Sequence, residues 1–235
     1  MQISKTEHET YETLKKSTLV VFTPQDVSLL LGFSKTKTYN IIKALKKKGC
    51  IETISSGRYC FSDANEFLVG SYFNHPSYVS FLSALNYYGF SDNLPKKLTF
   101  VSRKYKNHAR FQYVCLSQKR FFGYRKEGDI IIADKEKVFI DSLLFPKYAG
   151  GIKEISRLLR NHLDELNIDK LISYALQVQS KMVARRLGFI LNERLHTKQK
   201  KKLLQRIGNG VGFLDPNIKM QKDLNNEWLL YTRVE

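Results

Sequence analysis

A chain of 235 residues with 39 Lys and Arg against 22 Asp and Glu carries a formal charge of +17, which points to a polyanionic partner and says nothing about fold. With 43% hydrophobic residues it can pack one or two domains, and disorder is excluded as its class. It has no run of ~18 apolar residues to span a membrane, and no apolar signal-peptide core follows Met1, so a cytoplasmic protein with no membrane partner is expected.

In chain order, residues 6–17 read as a helix. Tyr11 and Leu14 give it a thin apolar stripe, and Glu7, Glu9 and Glu12 lie in early turns, where the helix dipole favours anions. Val20-Val21-Phe22 has the composition of a short strand. Thr23-Pro24-Gln25-Asp26 opens a second helix, with Thr23 as cap, Pro24 at the first helical position and Asp26 closing a capping box. Gly32-Phe33 ends that helix, Ser34 caps a third, and Gly49 stops it. At about 100° per residue, Thr38, Ile41, Ile42 and Leu45 share one side of the third helix. Thr36, Asn40, Lys43 and Lys47 share the other, and the helix holds no acid. Cys50 to Ile54 and Arg58 to Phe61 then form a hairpin around Ser55-Ser56-Gly57.

Helix, helix, turn, helix, hairpin is the order of a winged helix-turn-helix, which presents its last helix to the DNA major groove. The candidate DNA-binding residues are therefore Ser34, Lys35, Thr36, Lys37, Asn40, Lys43, Lys47, Ser56 and Arg58. Thr36, Asn40 and Lys43 would face base edges. Lys35, Lys37, Lys47 and Arg58 would hold phosphates, Arg58 from the tip of the wing. A protein-docking use of the same fold is the blander alternative.

The first domain is expected over 1–68 and a second over 69–235, giving an α+β protein. In the second, Ser77 to Tyr88 has helical spacing (Val79, Leu82, Leu85, Tyr88) and ends at Gly89. Leu98–Val101, Phe111–Leu116, Arg120–Tyr124 and Asp129–Ile132 read as strands, mostly antiparallel. Asp134 to Phe145 is a helix broken by Pro146, helices follow at 151–163, 168–178, 180–192 and 197–206, and Glu227 to Val234 looks like a closing strand.

The charge lies mainly in this second part. Residues 1–65 hold ten basic and six acidic side chains, a net of +4, whereas 66–235 hold 29 and 16, a net of +13. Asn93 to Lys126 contains ten basic residues and no acid; Lys181 to Arg206 contains nine and only Glu193. Such density suits phosphates or an acidic protein. Lys104, Arg110, Arg120, Arg125, Arg185 and Arg186 are the candidate surface, with Arg185-Arg186 able to clamp a phosphate.

From Thr23 to the end the chain resembles the AbiEi-type antitoxins, regulators of abortive-infection (type IV) toxin–antitoxin pairs. The stretches that carry the resemblance are Tyr78 to Gly89, Phe121-Phe122-Gly123, Ile132 to Asp141 (IADKEKVFID) and Ala184 to Leu191. The resemblance implies a winged helix that represses the antitoxin–toxin operon and a second domain that counters a nucleotidyltransferase-type toxin without having to bind it; because repressors of this kind commonly read repeats as two copies, a homodimer on the operator is expected.

Within Ile132 to Asp141, Asp134 and Glu136 suit a helix start, where carboxylates cap and complement the dipole, and Asp141 can pair with a nearby Lys. The alternative is that Asp134, Glu136 and Asp141 hold Mg²⁺ in a nuclease-like site, although neither Lys135 nor Lys137 has the acid two residues before it that such a site needs. No Walker A loop, GxGxxG or GxSxG is present, and the five histidines lack metal spacing, so no catalytic residue, metal or cofactor is expected and the chain does not read as an enzyme. Three cysteines without CxxC spacing read as reduced thiols, with Cys50 and Cys60 flanking the hairpin as a possible redox pair. Gly188, inside an apolar helix, marks close packing.

Overall fold

The computed structural model describes residues 3–217 and 223–232, and the chain divides into two compact units, 1–75 and 76–235. It is a mixed α+β protein. Among the described residues, no helix is long and apolar enough to cross a membrane.

In the first unit, α1 (Lys5–Lys16) is followed by β1 (Val21–Phe22), α2 (Pro24–Leu31) and α3 (Lys35–Lys47). β2 (Ile51–Ser55) and β3 (Arg58–Phe61) pair antiparallel, and β1 joins β3 to give the order β1-β3-β2. The Thr23 hydroxyl accepts from the Asp26 N–H at 3.2 Å while the Asp26 carboxylate accepts from the Thr23 N–H at 2.7 Å, so the capping box forms. Gly32, at φ +65°, ends α2 in the left-handed conformation that glycine adopts without strain. Leu14, Phe22, Val27, Ile41, Ile42, Leu45, Ile51 and Phe61 make one core. The unit runs seven residues past 68, because α4 (Glu66–Phe73) packs on β1.

In the second unit the sheet order is β6-β5-β4-β8-β7. Its strands are β4 (Ser77–Val79), β5 (Leu98–Ser102), β6 (Phe111–Cys115), β7 (Tyr124–Glu127) and β8 (Ile130–Ala133). The expected antiparallel bias is not met: β4–β5 and β7–β8 are antiparallel, β5–β6 and β4–β8 parallel. The long helix expected from Ser77 is instead the central strand β4 plus the short helix α5 (Phe81–Tyr87). Hydrogen bonds to β5 and β8 outweigh the helical spacing there. Phe81 makes the turn between them at φ +55°, a strained angle for a bulky residue. Arg120 closes a 3-10 turn rather than starting a strand.

Helices follow: α6 (Lys135–Leu144), α7 (Ile152–Asn161), α8 (Ile168–Gln177), α9 (Lys181–Leu191) and α10 (Thr197–Leu204). α9 is packed by α6, α7, α8 and α10 and is the hub of this layer. A small sheet of β9 (Gly212–Phe213), β10 (Leu224–Asn225) and β11 (Leu230–Tyr231) closes the unit. The closing strand is thus only two residues long, and Arg233 and Val234 lie outside the described residues.

Candidate nucleic-acid interface

The helix α3 is held from both ends. The Ser34 hydroxyl accepts from the Lys37 N–H at 3.4 Å, the Thr38 hydroxyl donates back to the Ser34 carbonyl at 3.0 Å, and Gly49 leaves the helix at φ +71°. Thr38, Ile41, Ile42 and Leu45 are buried, which fixes the helix in rotation. Ser34, Lys35, Thr36, Lys37, Asn40, Lys43 and Lys47 are all exposed as a result, and no carboxylate shares the helix. The Lys37 ammonium is 3.8 Å from the Phe33 ring centroid, a cation–π contact that draws it to one flank.

Two shallow grooves border this face. One, of about 490 Å³, runs between the first turn of α1 (Ser4, Thr6, Glu7) and Ser34, Thr36, Lys37 and Asn40. Its acid, Glu7, is bound by the Lys48 ammonium and by the Ser4 N–H at 2.6 Å, which pull its carboxyl down to about 2. Lys48 therefore offsets the negative charge beside α3. The other groove, of about 380 Å³, is lined by Gln25, Ser28, Leu29, Lys35 and Tyr39 among others. Sequence reasoning passed over Tyr39 and Gln25, although helical spacing puts Tyr39 one turn from both Lys35 and Lys43.

The hairpin is built as expected, with Ser56 and Gly57 exposed at the turn and Gly57 at φ +67°. Arg58 departs from the expectation of a projecting tip. Its Nη1 donates to the Phe73 carbonyl at 3.4 Å and its guanidinium lies 5.6 Å from the Phe73 ring centroid, so it leans back on α4. Cys60 stands opposite Glu52 in the β2–β3 register, and Cys50 lies beyond that pairing with its carbonyl taken by the Ser62 N–H; the two thiols do not face each other.

The six cations expected on the second unit's surface part company. Lys104 is exposed, and Arg110 is half-buried with its guanidinium 5.5 Å from the Phe111 ring centroid. The Arg120 Nε donates to the Val178 carbonyl at 2.9 Å. Arg125 is bound by Glu127 at 2.6 Å and Asp134 at 3.0 Å. Arg185 and Arg186 are not surface residues: they are 5% and 4% exposed. Arg185 donates to the carbonyls of Ile207 at 2.6 Å and of Gly210, and Arg186 to those of Leu143 at 2.7 Å and Leu214 at 2.9 Å. Burial pulls the Arg186 guanidinium down to about 10, which leaves it cationic at pH 7. Both tie α9 to the segment that follows α10. With both side chains buried and turned to backbone carbonyls, they do not form the surface phosphate clamp expected from the sequence.

The three acids weighed as a metal site are likewise committed to cations. Asp134 is the residue before α6 but makes no side-chain cap; it binds Arg125, Lys170 at 3.2 Å and the Tyr174 hydroxyl at 2.6 Å. Glu136 accepts from Lys170 at 3.0 Å and from the Asn167 N–H at 3.0 Å. Asp141 lies two helical turns from Asp134, roughly 10 Å along the axis, and is paired with Lys137. Among the described residues, no group of three or more His, Cys, Asp or Glu is placed to hold a metal ion.

Burial alone would raise the Asp134 carboxyl, yet its bonds to Tyr174, Lys170 and Arg125 hold it below the usual carboxylate range. A carboxyl depressed by folding adds stability above its unfolded pKa of about 3.9, and that stability fades as pH falls through the folded value. Urea midpoints of the second unit should therefore drop below about pH 4, and Asp134→Asn should start lower at pH 7 and flatten that acid dependence. An unchanged acid limb in the variant would place the sensitivity on other carboxyls.

No family model matches the chain, and none of the curated proteins matches it. Among solved structures it is similar to that of the RV2827C protein from Mycobacterium tuberculosis, with a TM-score of 0.67 and 13% identity over 97% of this chain and 92% of that one, which shows a shared fold.

Proposed function

We propose that the first unit is a winged helix-turn-helix that reads duplex DNA, and that the chain is a sequence-specific repressor of its own operon and the antitoxin of a type IV pair. On this reading it acts by binding rather than catalysis, in the cytoplasm, as two copies on an operator. It counters a nucleotidyltransferase-type toxin with no need for a stable complex. One observation carries the DNA reading. The face of α3 opposite its buried Thr38, Ile41, Ile42 and Leu45 offers Thr36, Asn40, Lys43 and Lys47 to solvent with no acid among them. Asn is suited to bidentate pairing with adenine, and Lys to guanine or phosphate. The antitoxin role is supported by the AbiEi resemblance, while the likeness to RV2827C supports the fold alone.

A gel shift at two salt concentrations, comparing DNA from just upstream of the gene with random DNA, tests this. Both affinities should fall with salt, and the upstream site should keep an advantage of roughly 10³ or more that Lys43→Glu abolishes. Asn40→Ala should cost about 1–3 kcal/mol on the upstream site and little on random DNA. Equal losses on both would sink the base-reading role of Asn40.

A further inference from the structure

We propose that the exposed side of α10 is a second, sequence-independent contact for the phosphate backbone of duplex DNA, carried by Lys198, Lys201 and Lys202 with Arg194 and Arg206 at its ends. The surface stands on the geometry of α10 and goes beyond the base-reading face of α3.

The packing of α10 sorts its cations into two sets. Leu203 is fully buried and turns the helix, Gln199 donates to Asp169 at 2.9 Å, and Lys200 binds Glu227 at 2.6 Å. Those contacts face the rest of the unit. At about 100° per residue, Lys198, Lys201 and Lys202 point the opposite way, and all three are exposed, as are Arg194 and Arg206. Among the described residues, none of these five lies within ion-pair distance of a carboxylate.

Helix stability does not account for this arrangement. Cations in the last turn suit the helix dipole, which covers Lys201 and Lys202. Lys198 sits in the first turn, against the dipole, and makes like-charge neighbours with Lys201 at i+3 and Lys202 at i+4, both unfavourable on an isolated helix. A polyanion laid along the face would relieve all three terms at once. The three lysines that carry the face are of a residue type depleted at protein interfaces, and no aromatic or aliphatic side chain of α10 is exposed beside them. Lysines act as compact, movable point charges, which fits contact with phosphates irrespective of sequence.

The test uses the full-length protein and the triple variant Lys198→Gln/Lys201→Gln/Lys202→Gln, titrated onto a random-sequence duplex and the upstream DNA over a range of salt. Removing three phosphate contacts should weaken binding to both by about tenfold and reduce the salt slope by ~2–3, leaving the ratio between the two DNAs unchanged. The three side chains are exposed, so the melting curve should stay in place, and Lys198→Gln alone should give a smaller loss in the same direction. Unchanged affinity and slope on random DNA would overturn the proposal and turn attention to an acidic protein as occupant of this face. Failure of the α3 reading looks different: the unaltered protein would show no preference for upstream DNA, whatever the triple variant does.

Discussion

Replacing Lys137 by Ala is expected to cost about 3–5 kcal/mol of stability in the second unit, because it strips the cation from a carboxylate that cannot reach water. Lys137 and Asp141 are one turn apart on α6, and both side chains are fully buried. The Lys137 ammonium donates to Asp141 and to the Tyr78 hydroxyl at 3.1 Å, while Asp141 accepts from the Ser80 hydroxyl at 2.9 Å and from Tyr78 at 3.2 Å. The ammonium also lies 4.8 Å from the Phe122 ring centroid. The network thus joins β4, the turn before α5 and α6.

Burial pushes the Asp141 carboxyl up even with Lys137 in place, so without it the native state should hold a proton more tightly still. The sign follows: a carboxyl raised by folding stabilises the protonated native state, and stability is lost as pH rises above the unfolded value of about 3.9. The deficit of Lys137→Ala should therefore shrink towards pH 4. Trp228 is the only tryptophan and lies buried in this unit, so its fluorescence reports the right transition in urea. The double variant Lys137→Met/Asp141→Leu should recover most of the loss, since a buried pair replaced by apolar groups is often neutral. A double variant as unstable as the single one would mean that the cost comes from packing or from the Tyr78 and Ser80 hydroxyls left without partners, rather than from the unpaired charge.

Local rules reached most of the first unit and less of the second. The caps at Thr23 and Ser34, the stop at Gly49 and the two faces of α3 each depend on residues within a turn or two, so the sequence displays them directly. Ser77 to Tyr88 shows where this ends: its apolar spacing fits a helix, but Ser77, Tyr78 and Val79 take their partners from Ser102, Val101 and Phe100 on a strand some twenty residues away. Arg185 and Arg186 fail for a similar reason. Adjacent cations on a helix normally reach solvent, and the carbonyls of Leu143 on α6 and of residues 207–214, which arrive after α10, make their burial tolerable. The charge density of 181–206 was visible, yet which of its cations form a surface depended on tertiary packing, which selects Lys198, Lys201 and Lys202.

Gly188→Ala and Trp228→Ala should each destabilise the protein alone, and together should show that one causes the other. A methyl group on Gly188 would stand 2.0 Å from a carbon of the Trp228 ring, so the ring must move out of the core. That ring is fully buried, and its Nε1 donates to Asn192 at 3.0 Å, pinning the turn before β11 onto α9. Overpacking of this kind costs about 1–3 kcal/mol, and removing the indole costs about 3–5 kcal/mol through lost burial and the cavity left behind. With the indole gone, the three atoms closest to the methyl group are gone with it, and in a helix Ala is favoured over Gly by about 1 kcal/mol. Gly188→Ala should therefore change sign in the Trp228→Ala background, from destabilising to stabilising, in a double-mutant cycle followed by circular dichroism of the helices. Additive losses would mean that Gly188 is needed for its backbone rather than for the ring above it.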